Sequence, residues 1–415
     1  MPKPVSDNAL RQSLALLFTR RFGTFWFASL LANIGTWAQQ VAQPWLMLSL
    51  GASSVLLGLD SFALGAPALL LTFVGGALAD RADRRSVIAI FQSIQMLCPV
   101  LIVALLLAHA IHPWVVIGLS CVVGVTDALS MPSFQTIVST IVDRDKLATG
   151  LSLNATQFNL SRILGPAVAG VLMASVGAIG AFSVSAASYL PFILVALWIL
   201  PRATSQGTEA HGQESALVAL RQIGGDPALR GALLTVLVTS LLCSPLVTFC
   251  PLLVTQVFHG NVSHFSLAMG AFGVGGLLAA TSLLAIDPQR DRRPLASWFA
   301  LAFAVVVAAT ALNPWGWALP LLFVLGGLAM TIGNVSANTY LQSVAPVHMR
   351  GRSISLYMLA MRGGMSVGSL LTGISVGALG VRGALLVNAS LAIALQLIVG
   401  RAWARQRGVP CAEIA

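Results

Sequence analysis

Long uninterrupted apolar runs constrain the fold of this chain more than any other feature of its sequence. Residues 97–107 and 296–312 are two examples of such runs. A hydrocarbon core about 30 Å thick requires about 20 apolar residues from each helix that crosses it. Charged residues make up only 9% of the 415 positions, whereas a soluble domain carries about 25%. The sequence therefore predicts an all-α membrane protein.

The apolar runs predict twelve transmembrane helices in two pseudo-symmetric six-helix halves. A long polar stretch separates the sixth run from the seventh and predicts a cytoplasmic linker. The predicted spans cover residues 22–47, 54–79, 86–108, 113–140, 148–175, 178–200, 230–257, 264–286, 295–312, 315–342, 352–378 and 381–402. The predicted organisation is a tail at 1–21, a first half at 22–200, the linker at 201–229, a second half at 230–402 and a tail at 403–415.

The positions of the basic residues predict the orientation of the chain. Of the 23 Lys and Arg residues, all but Arg162, Arg362 and Arg382 lie in the tails, in loops that follow even-numbered spans, or at the span ends next to them. Cytoplasmic loops carry an excess of Lys and Arg, so we expect both termini to be cytoplasmic and the protein to lie in the cytoplasmic (inner) membrane. Tryptophans at predicted span ends fit the aromatic belts of a bilayer; they are Trp26, Trp114, Trp298, Trp315 and Trp403.

Composition also disfavours several classes of function. Lys occurs only at Lys3 and Lys146, so the G-x-x-x-x-G-K-[ST] nucleotide-binding loop cannot be formed. The five Cys form no C-x-x-C pair, and the six His have no metal-ligand spacing. The net charge of +10 is divided among loops and forms no continuous patch for nucleic acid. We therefore expect no metal, no cofactor, no nucleic-acid partner and no enzymatic activity.

The loop between the second and third predicted spans carries a signature. Residues 75–85 read GGALADRADRR, which closely resembles the G-x-x-x-D-R-x-[GD]-R-[RK] loop of the major facilitator superfamily. The resemblance implies a cytoplasmic gate that joins the two halves through carboxylates and guanidinium groups. The alternative is that the arginines are only topology anchors, but the fixed spacing of Asp80 and Asp83 favours the gate. The residues expected there are Gly76, Asp80, Arg81, Arg84, Asp143, Arg350 and Arg352.

The fifth predicted span carries a second resemblance. Asn159, Arg162, Gly165 and Pro166 form the pattern N-x-x-R-x-x-G-P. This pattern is similar to that of the superfamily branch that contains the enterobactin exporter and the macrolide-efflux proteins, within the drug:proton antiporters. Three further stretches resemble the same branch, at 33–40, 131–135 and 350–364. The resemblance implies a secondary transporter that exports a small organic molecule.

Four ionisable residues lie deep inside predicted spans, away from the span ends, namely Asp60, Asp127, Arg162 and Arg362. Each costs about 2.5–3.5 kcal/mol at a helix centre. Asp127 and Arg162 lie at similar depths, about 21–23 Å from the cytoplasmic ends of their spans, so we expect them to meet. They form either a static ion pair or a site where Asp127 exchanges protons and Arg162 favours its ionised form. Asp60, near the outer end of its span, is a second candidate proton site that water can reach.

Polar side chains concentrate on few spans, which favours a polar cavity near the membrane midplane. Any single amide can instead bond neighbouring helices together. Two deep Arg and only two Asp favour an anionic or zwitterionic cargo. The residues predicted to line the cavity are Asn33, Gln39, Gln40, Asn154, Gln157, Asn159, Asn334, Asn338 and Arg362.

These patterns predict a monomeric transporter whose partners are a small-molecule substrate, protons and the lipid bilayer. Because no nucleotide site can be formed, an ion gradient must drive transport, and a proton gradient is the first candidate. An importer or a lipid flippase of the same fold is an alternative, and a membrane sensor that does not transport is another. An importer is indicated if inside-out vesicles fail to accumulate substrate against a proton gradient. A flippase is indicated if a labelled lipid, but no soluble compound, moves in liposomes. A sensor would bind its ligand without flux.

Overall fold

The computed structural model describes residues 15–143, 146–200, 227–284, 286, 291–344 and 350–404. Within these ranges every regular element is helical, as the apolar runs predict. Nine of the described helices are long and apolar enough to cross a membrane. The chain is therefore a multi-pass membrane protein. The outer parts of both tails and residues 201–226 of the predicted linker lie outside the described residues.

Six long helices occupy the first part of the chain, and their bounds lie close to those of the predicted spans. They are α1 (Arg20–Ser49), α2 (Ser54–Arg81), α3 (Arg84–Leu107), α4 (Pro113–Ile141), α5 (Leu147–Ser175) and α6 (Gly177–Trp198). The 30 residues of α1 extend about 45 Å at 1.5 Å per residue. α1 is nevertheless not among the nine apolar helices, because its amide side chains lower its mean hydropathy.

The second part of the chain begins with an irregular helix. α7 (Pro227–Val238) continues into a π-helical segment, Thr239–Cys243, and a second π-helical segment follows at Leu253–Val257. Prolines at Pro245 and Pro251 lie between the two segments, and each lacks a backbone N–H to donate to the preceding turn. The remaining elements are α8 (Val262–Leu284), α9 (Arg293–Leu312), a short 3₁₀ helix (Gly316–Ala318), α10 (Leu319–Val344) and α11 (Arg350–Ala404).

α11 spans 55 residues but is not continuous. Gly380 has φ 69° and ψ 169°, outside the helical region, and a residue with a Cβ rarely adopts this conformation. The break divides α11 into helical stretches at 350–379 and 381–404. It lies where the sequence analysis separates the last two predicted spans.

The helices form two compact units. The first contains the described residues of Met1–Gly51 and Ala66–Thr208, and the second contains those of Ala52–Gly65 and Glu209–Ala415. The beginning of α2 belongs to the second unit, where Gly58 packs directly on the backbone of Ser369 in α11; a Cβ at Gly58 would lie 2.5 Å from the Ser369 carbonyl oxygen. Small residues permit such close helix contacts.

Aromatic rings fill the core of the first unit. Phe192 of α6 stacks on Phe134 of α4, with 5.2 Å between ring centroids and an interplanar angle of 11°. Phe25 of α1 meets Phe192 at 5.8 Å. Trp26, predicted for the interfacial belt, is instead 7% exposed, and its Nε1 donates to the Leu153 carbonyl of α5 over 2.8 Å. Its polar atom is satisfied by protein rather than by the membrane interface.

The core of the second unit also contains a tryptophan predicted for the belt. Trp403 is only 1% exposed, and its ring meets that of Tyr340 edge-on with 5.2 Å between centroids. Gly231 of α7 packs against the face of the Trp403 indole. The belt prediction is therefore wrong for Trp26 and Trp403, because neighbouring helices cover both rings. The other predicted belt residues are exposed, as a belt requires, namely Trp114, Trp298 and Trp315.

Candidate functional site

A chain of side-chain hydrogen bonds in the first unit ends on the Asp127 carboxylate. Gln92 Nε2 donates to Gln95 Oε1 over 3.1 Å, and Gln95 Nε2 donates to Asp127 Oδ1 over 2.9 Å. Gln92 and Gln95 are buried, at 5% and 2% exposed, and Asp127 is partly buried. Asp127 lies at the centre of the 29-residue α4, and Gln95 lies midway along the 24-residue α3. The carboxylate is thus held at mid-helix by a neighbouring helix.

The two glutamines were not predicted as site residues. They are three positions apart in an apolar helix, a spacing that places them on one helix face. This pair of amides in an apolar helix was the sequence feature that could have identified them as site residues. It resembles the amide clusters on other predicted spans. Only the packing of α3 against α4 shows that the pair reaches Asp127.

A tyrosine from α6 lies close to the same carboxylate. Tyr189 OH and Thr36 Oγ1 of α1 share a hydrogen bond of 2.8 Å, and Tyr189 is 2% exposed. The Asp127 carboxylate is near enough to the Tyr189 phenol to act on it electrostatically. Helices α1, α3, α4 and α6 therefore each contribute a polar side chain to one region of the first unit.

Arg162 lies at the middle of the 29-residue α5 and is partly buried, as is Asn159 one turn earlier. The glycine of the N-x-x-R-x-x-G-P pattern has a packing role here. A Cβ at Gly165 would overlap the side chain of Trp37 in α1, so the glycine lets α5 approach α1 closely. The ion pair of Arg162 with Asp127 stays a prediction.

Asn33 and Gln157 are linked through a serine. Asn33 Nδ2 donates to Ser29 Oγ over 3.3 Å, and Ser29 Oγ donates to Gln157 Oε1 over 3.4 Å. Gln157 is 2% exposed, and its Nε2 has no hydrogen-bond partner within the described part of the chain. A buried donor without a partner is costly. Gln157 Nε2 is therefore a buried donor that no described residue satisfies.

Gln39 has a different environment from the other predicted cavity residues of α1. Its Oε1 accepts from Ser185 Oγ of α6 over 3.0 Å, and Gln39 is buried. This bond suits the helix-joining role that the sequence analysis gave as the alternative. Gln40 of α1 and Asn154 of α5 are partly buried.

The predicted site residues of the second unit lie on α10 and α11. Asn334 is 3% exposed, and its Nδ2 lacks a partner among the described residues. It lines a narrow crevice between α7, α9 and α10, and its backbone carbonyl accepts from Tyr357 OH over 3.3 Å. Asn338 Oδ1 accepts from Gln342 Nε2 within α10 over 3.1 Å, and Arg362 is partly buried in α11.

Asp60 is buried more deeply than the sequence predicts. It lies in the part of α2 that belongs to the second unit, and it is 4% exposed. It lies near the beginning of α2, as predicted, but the expectation that water reaches it does not fit this burial. Its role as a second proton site stays a prediction.

The described part of the loop signature at 75–85 shows roles at helix ends for two residues that were not predicted for the gate. Asp83 caps the N-terminus of α3, accepting from Arg85 N over 3.4 Å and from Ser86 Oγ over 2.8 Å. The Arg85 guanidinium donates to the carbonyls of Leu197 and Leu200 at the end of α6, where a cation is favoured. Arg84 is partly buried and Asp143 is exposed. The side chains of Gly76, Asp80, Arg81, Arg350 and Arg352 lie outside the described residues.

Long apolar helices in two compact units, with a few polar and ionisable side chains at mid-helix, define a membrane transporter. The sequence model of one transporter family, described as transmembrane secretion effector, matches residues 11–407. The chain belongs to this family, and it is a transporter of the major facilitator type. The resemblance drawn from the loop and fifth-span patterns is confirmed.

Two characterised relatives have names that describe transport. The chain is 25% identical over 361 residues to the staphyloferrin A transporter of Staphylococcus aureus (strain NCTC 8325 / PS 47), covering 86% of this chain and 90% of the relative. It is 26% identical over 346 residues to the multidrug efflux pump Tap of Mycolicibacterium fortuitum, covering 80% and 83%. Transporter relatives of this kind imply a small-molecule substrate.

Solved structures of transporters share the fold. The nucleoside transporter NupG matches with a TM-score of 0.72 at 15% identity, covering 93% of this chain and 99% of that one. A bacterial homologue of the human lysosomal transporter Spinster, in an inward-facing and unoccupied conformation, matches with a TM-score of 0.68 at 15% identity. That match covers 98% of this chain and 100% of the other. At these identities the likeness concerns the fold alone.

Proposed function

We propose that this protein exports a small organic molecule across the cytoplasmic membrane by alternating access, in exchange for protons. In this proposal the chain has twelve spans, counting the two stretches of α11 separately, and both termini are cytoplasmic. The protein acts as a monomer within the lipid bilayer. The observation that carries the proposal is the partly buried Asp127 at the centre of α4. An ionisable side chain inside a membrane span is costly and usually functional.

Proton coupling follows from what Asp127 can do in two environments. Pairing with the Arg162 guanidinium favours the ionised carboxylate, and separation from it favours the protonated form. A conformational change that joins and parts the two groups would therefore bind a proton on one side and release it on the other. A membrane potential of 100 mV supplies about 2.3 kcal/mol per charge moved, which is comparable with the roughly 2.7 kcal/mol of a hundredfold change in proton affinity.

The chemistry of the proposed cavity favours an anionic or zwitterionic cargo. Arg162 and Arg362 are both partly buried at mid-helix, and guanidinium groups bind carboxylates through paired hydrogen bonds. Gln157 and Asn334 each have a buried donor nitrogen with no partner in the described ranges. A cargo rich in acceptor oxygens would suit guanidinium groups and amide donors of this kind. The staphyloferrin A transporter and the efflux pump Tap support a siderophore-like or drug-like molecule.

Everted membrane vesicles from cells that produce the protein provide the test. With an inside-acid proton gradient, we expect accumulation of the anionic siderophore staphyloferrin A in preference to the cationic dye ethidium. Asp127→Asn should abolish accumulation and leave downhill movement detectable, because the neutral amide mimics a permanently protonated carboxyl. Asp291→Asn is the matched control, since Asp291 pairs with Arg293 at 2.9 Å near the surface and also accepts from Arg293 N at the start of α9. A surface pair of this kind is worth about 0–1 kcal/mol.

Other outcomes would contradict the proposal and identify an alternative. Uptake only into right-side-out vesicles would indicate an importer. Movement of a labelled lipid, without movement of either soluble probe, would indicate a flippase. Binding of staphyloferrin A without flux would indicate a sensor.

A further inference from the structure

The hydrogen bonds from Gln92 to Gln95 and from Gln95 to Asp127 both point their donors towards the Asp127 carboxylate. Gln95 turns its Nε2 towards Asp127 and its Oε1 towards Gln92, an orientation that suits an ionised carboxylate, which can only accept hydrogen bonds. Gln92 Nε2 then donates to that Oε1. The second bond polarises the Gln95 amide and strengthens its donation to the carboxylate. The arrangement thus favours negative charge on Asp127.

We propose that Gln95, supported by Gln92, is a positioning residue that holds the Asp127 carboxylate in its ionised form and sets the pH range of proton exchange. The inference rests on the proposed function, because it takes Asp127 as the proton-binding group. Gln95 acts through Asp127 and contacts neither the cargo nor the transferred proton. Its burial at 2% exposed leaves Asp127 and Gln92 as its hydrogen-bond partners in the described structure.

Other groups around Asp127 have different roles. Arg162 of α5 is its predicted charge partner, and Tyr189 of α6 lies within electrostatic range. Cys98 is a buried thiol of α3, one turn after Gln95. α1 has only neutral side chains from 22 to 49. Because α3 and α4 are adjacent in the chain and packed together, the Gln95 bond is expected in every conformation, whereas the Arg162 pair changes between conformations.

Infrared difference spectroscopy of the purified full-length protein in liposomes tests this inference without any substrate. The carboxyl band that Asp127→Asn removes is assigned to Asp127 and followed as a function of pH. Gln95→Met keeps the side-chain length but loses both the donor and the acceptor. We expect it to move the midpoint of this band upward by about one pH unit, a tenfold tighter binding of the proton. Gln92→Met should move the midpoint in the same direction by less.

The matched control is Gln396→Met in the second unit. Gln396 is 3% exposed and donates to Thr235 O and Thr239 Oγ1, both over 3.0 Å. The Gln396→Met variant therefore removes a comparable buried amide far along the chain from Asp127. We expect its midpoint to equal that of the unmodified protein. If Gln95→Met does not fold, Gln92→Met carries the test, because it removes only the second bond.

Three results would overturn the inference. They are an unchanged midpoint in both Gln95→Met and Gln92→Met, an equal shift in Gln396→Met, and the absence of any titrating band that Asp127→Asn removes. Failure of the proposed function is seen separately, as undiminished accumulation by Asp127→Asn vesicles.

Discussion

Replacement of Trp403 distinguishes a buried anchor from an interfacial belt residue. Trp403 is 1% exposed, and its ring lies between Tyr340 and Gly231. Truncation of a fully buried Trp to Ala costs about 3–5 kcal/mol, since it loses the transfer free energy and leaves a cavity. At about 2–4 °C per kcal/mol for a unit of this size, Trp403→Ala should lower the apparent unfolding temperature by about 6–20 °C.

Two free cysteines of the second unit make the measurement direct. Cys243 and Cys250 are buried, at 1% and 0% exposed, so a thiol-reactive fluorescent dye reports their exposure when the unit unfolds in detergent. Trp298→Ala is the matched control, because Trp298 is 68% exposed and surface substitutions change stability by about 0.5 kcal/mol. Equal shifts for Trp403→Ala and Trp298→Ala would refute the buried-anchor account.

Three further predictions concern charged residues. Arg162→Lys keeps the charge but loses the paired donors, so vesicle transport should fall severely while immunoblots show normal membrane levels; loss of the protein itself would indicate a structural role. Asp80→Asn should reduce transport without affecting insertion, and normal transport by this variant would exclude the gate. Arg85→Ala removes a cation from the carbonyl end of α6, where it contributes about 0.3–1 kcal/mol or more through its hydrogen bonds. Dye labelling of Cys98, a buried thiol of the first unit, should show unfolding a few degrees lower, and an unchanged value would exclude the capping role.

The helical architecture follows from the sequence because each span must satisfy its backbone polar groups internally. Apolar length alone therefore located the helices closely, including the break at Gly380. α1 did not meet a simple hydropathy criterion. Its amides would be unfavourable against lipid, but several of them bond to other helices, as Gln39 does with Ser185.

Side-chain surroundings were harder to predict, because they depend on residues far away in the chain. A tryptophan at a helix end has the same local pattern whether lipid or protein covers it. The burial of Trp403 depends on Gly231 of α7, and no local pattern in the last span reports that contact. The contacts of the loop signature at 75–85 were also hard to predict from the sequence. Its sequence predicts a gate, which stays a prediction, but it does not show that Asp83 and Arg85 cap α3 and α6.

The candidate site was predictable in part for the same reason. Asp127 could be identified from sequence because a carboxylate in a membrane span requires an explanation. Gln95 could not, since a neutral amide has many uses between helices. Its role depends on which residue of α4 lies opposite, and that is decided by the packing of α3 against α4.

Proton movement by the reconstituted protein tests the central claim most directly. Liposomes that contain the protein and the entrapped pH dye pyranine, with the membrane potential clamped by valinomycin and K⁺, receive external staphyloferrin A. The account predicts that the interior becomes alkaline as substrate enters and protons leave, and that Asp127→Asn liposomes take up substrate with no pH change. Substrate entry without alkalinisation in the unmodified protein, or full alkalinisation in Asp127→Asn, would contradict it.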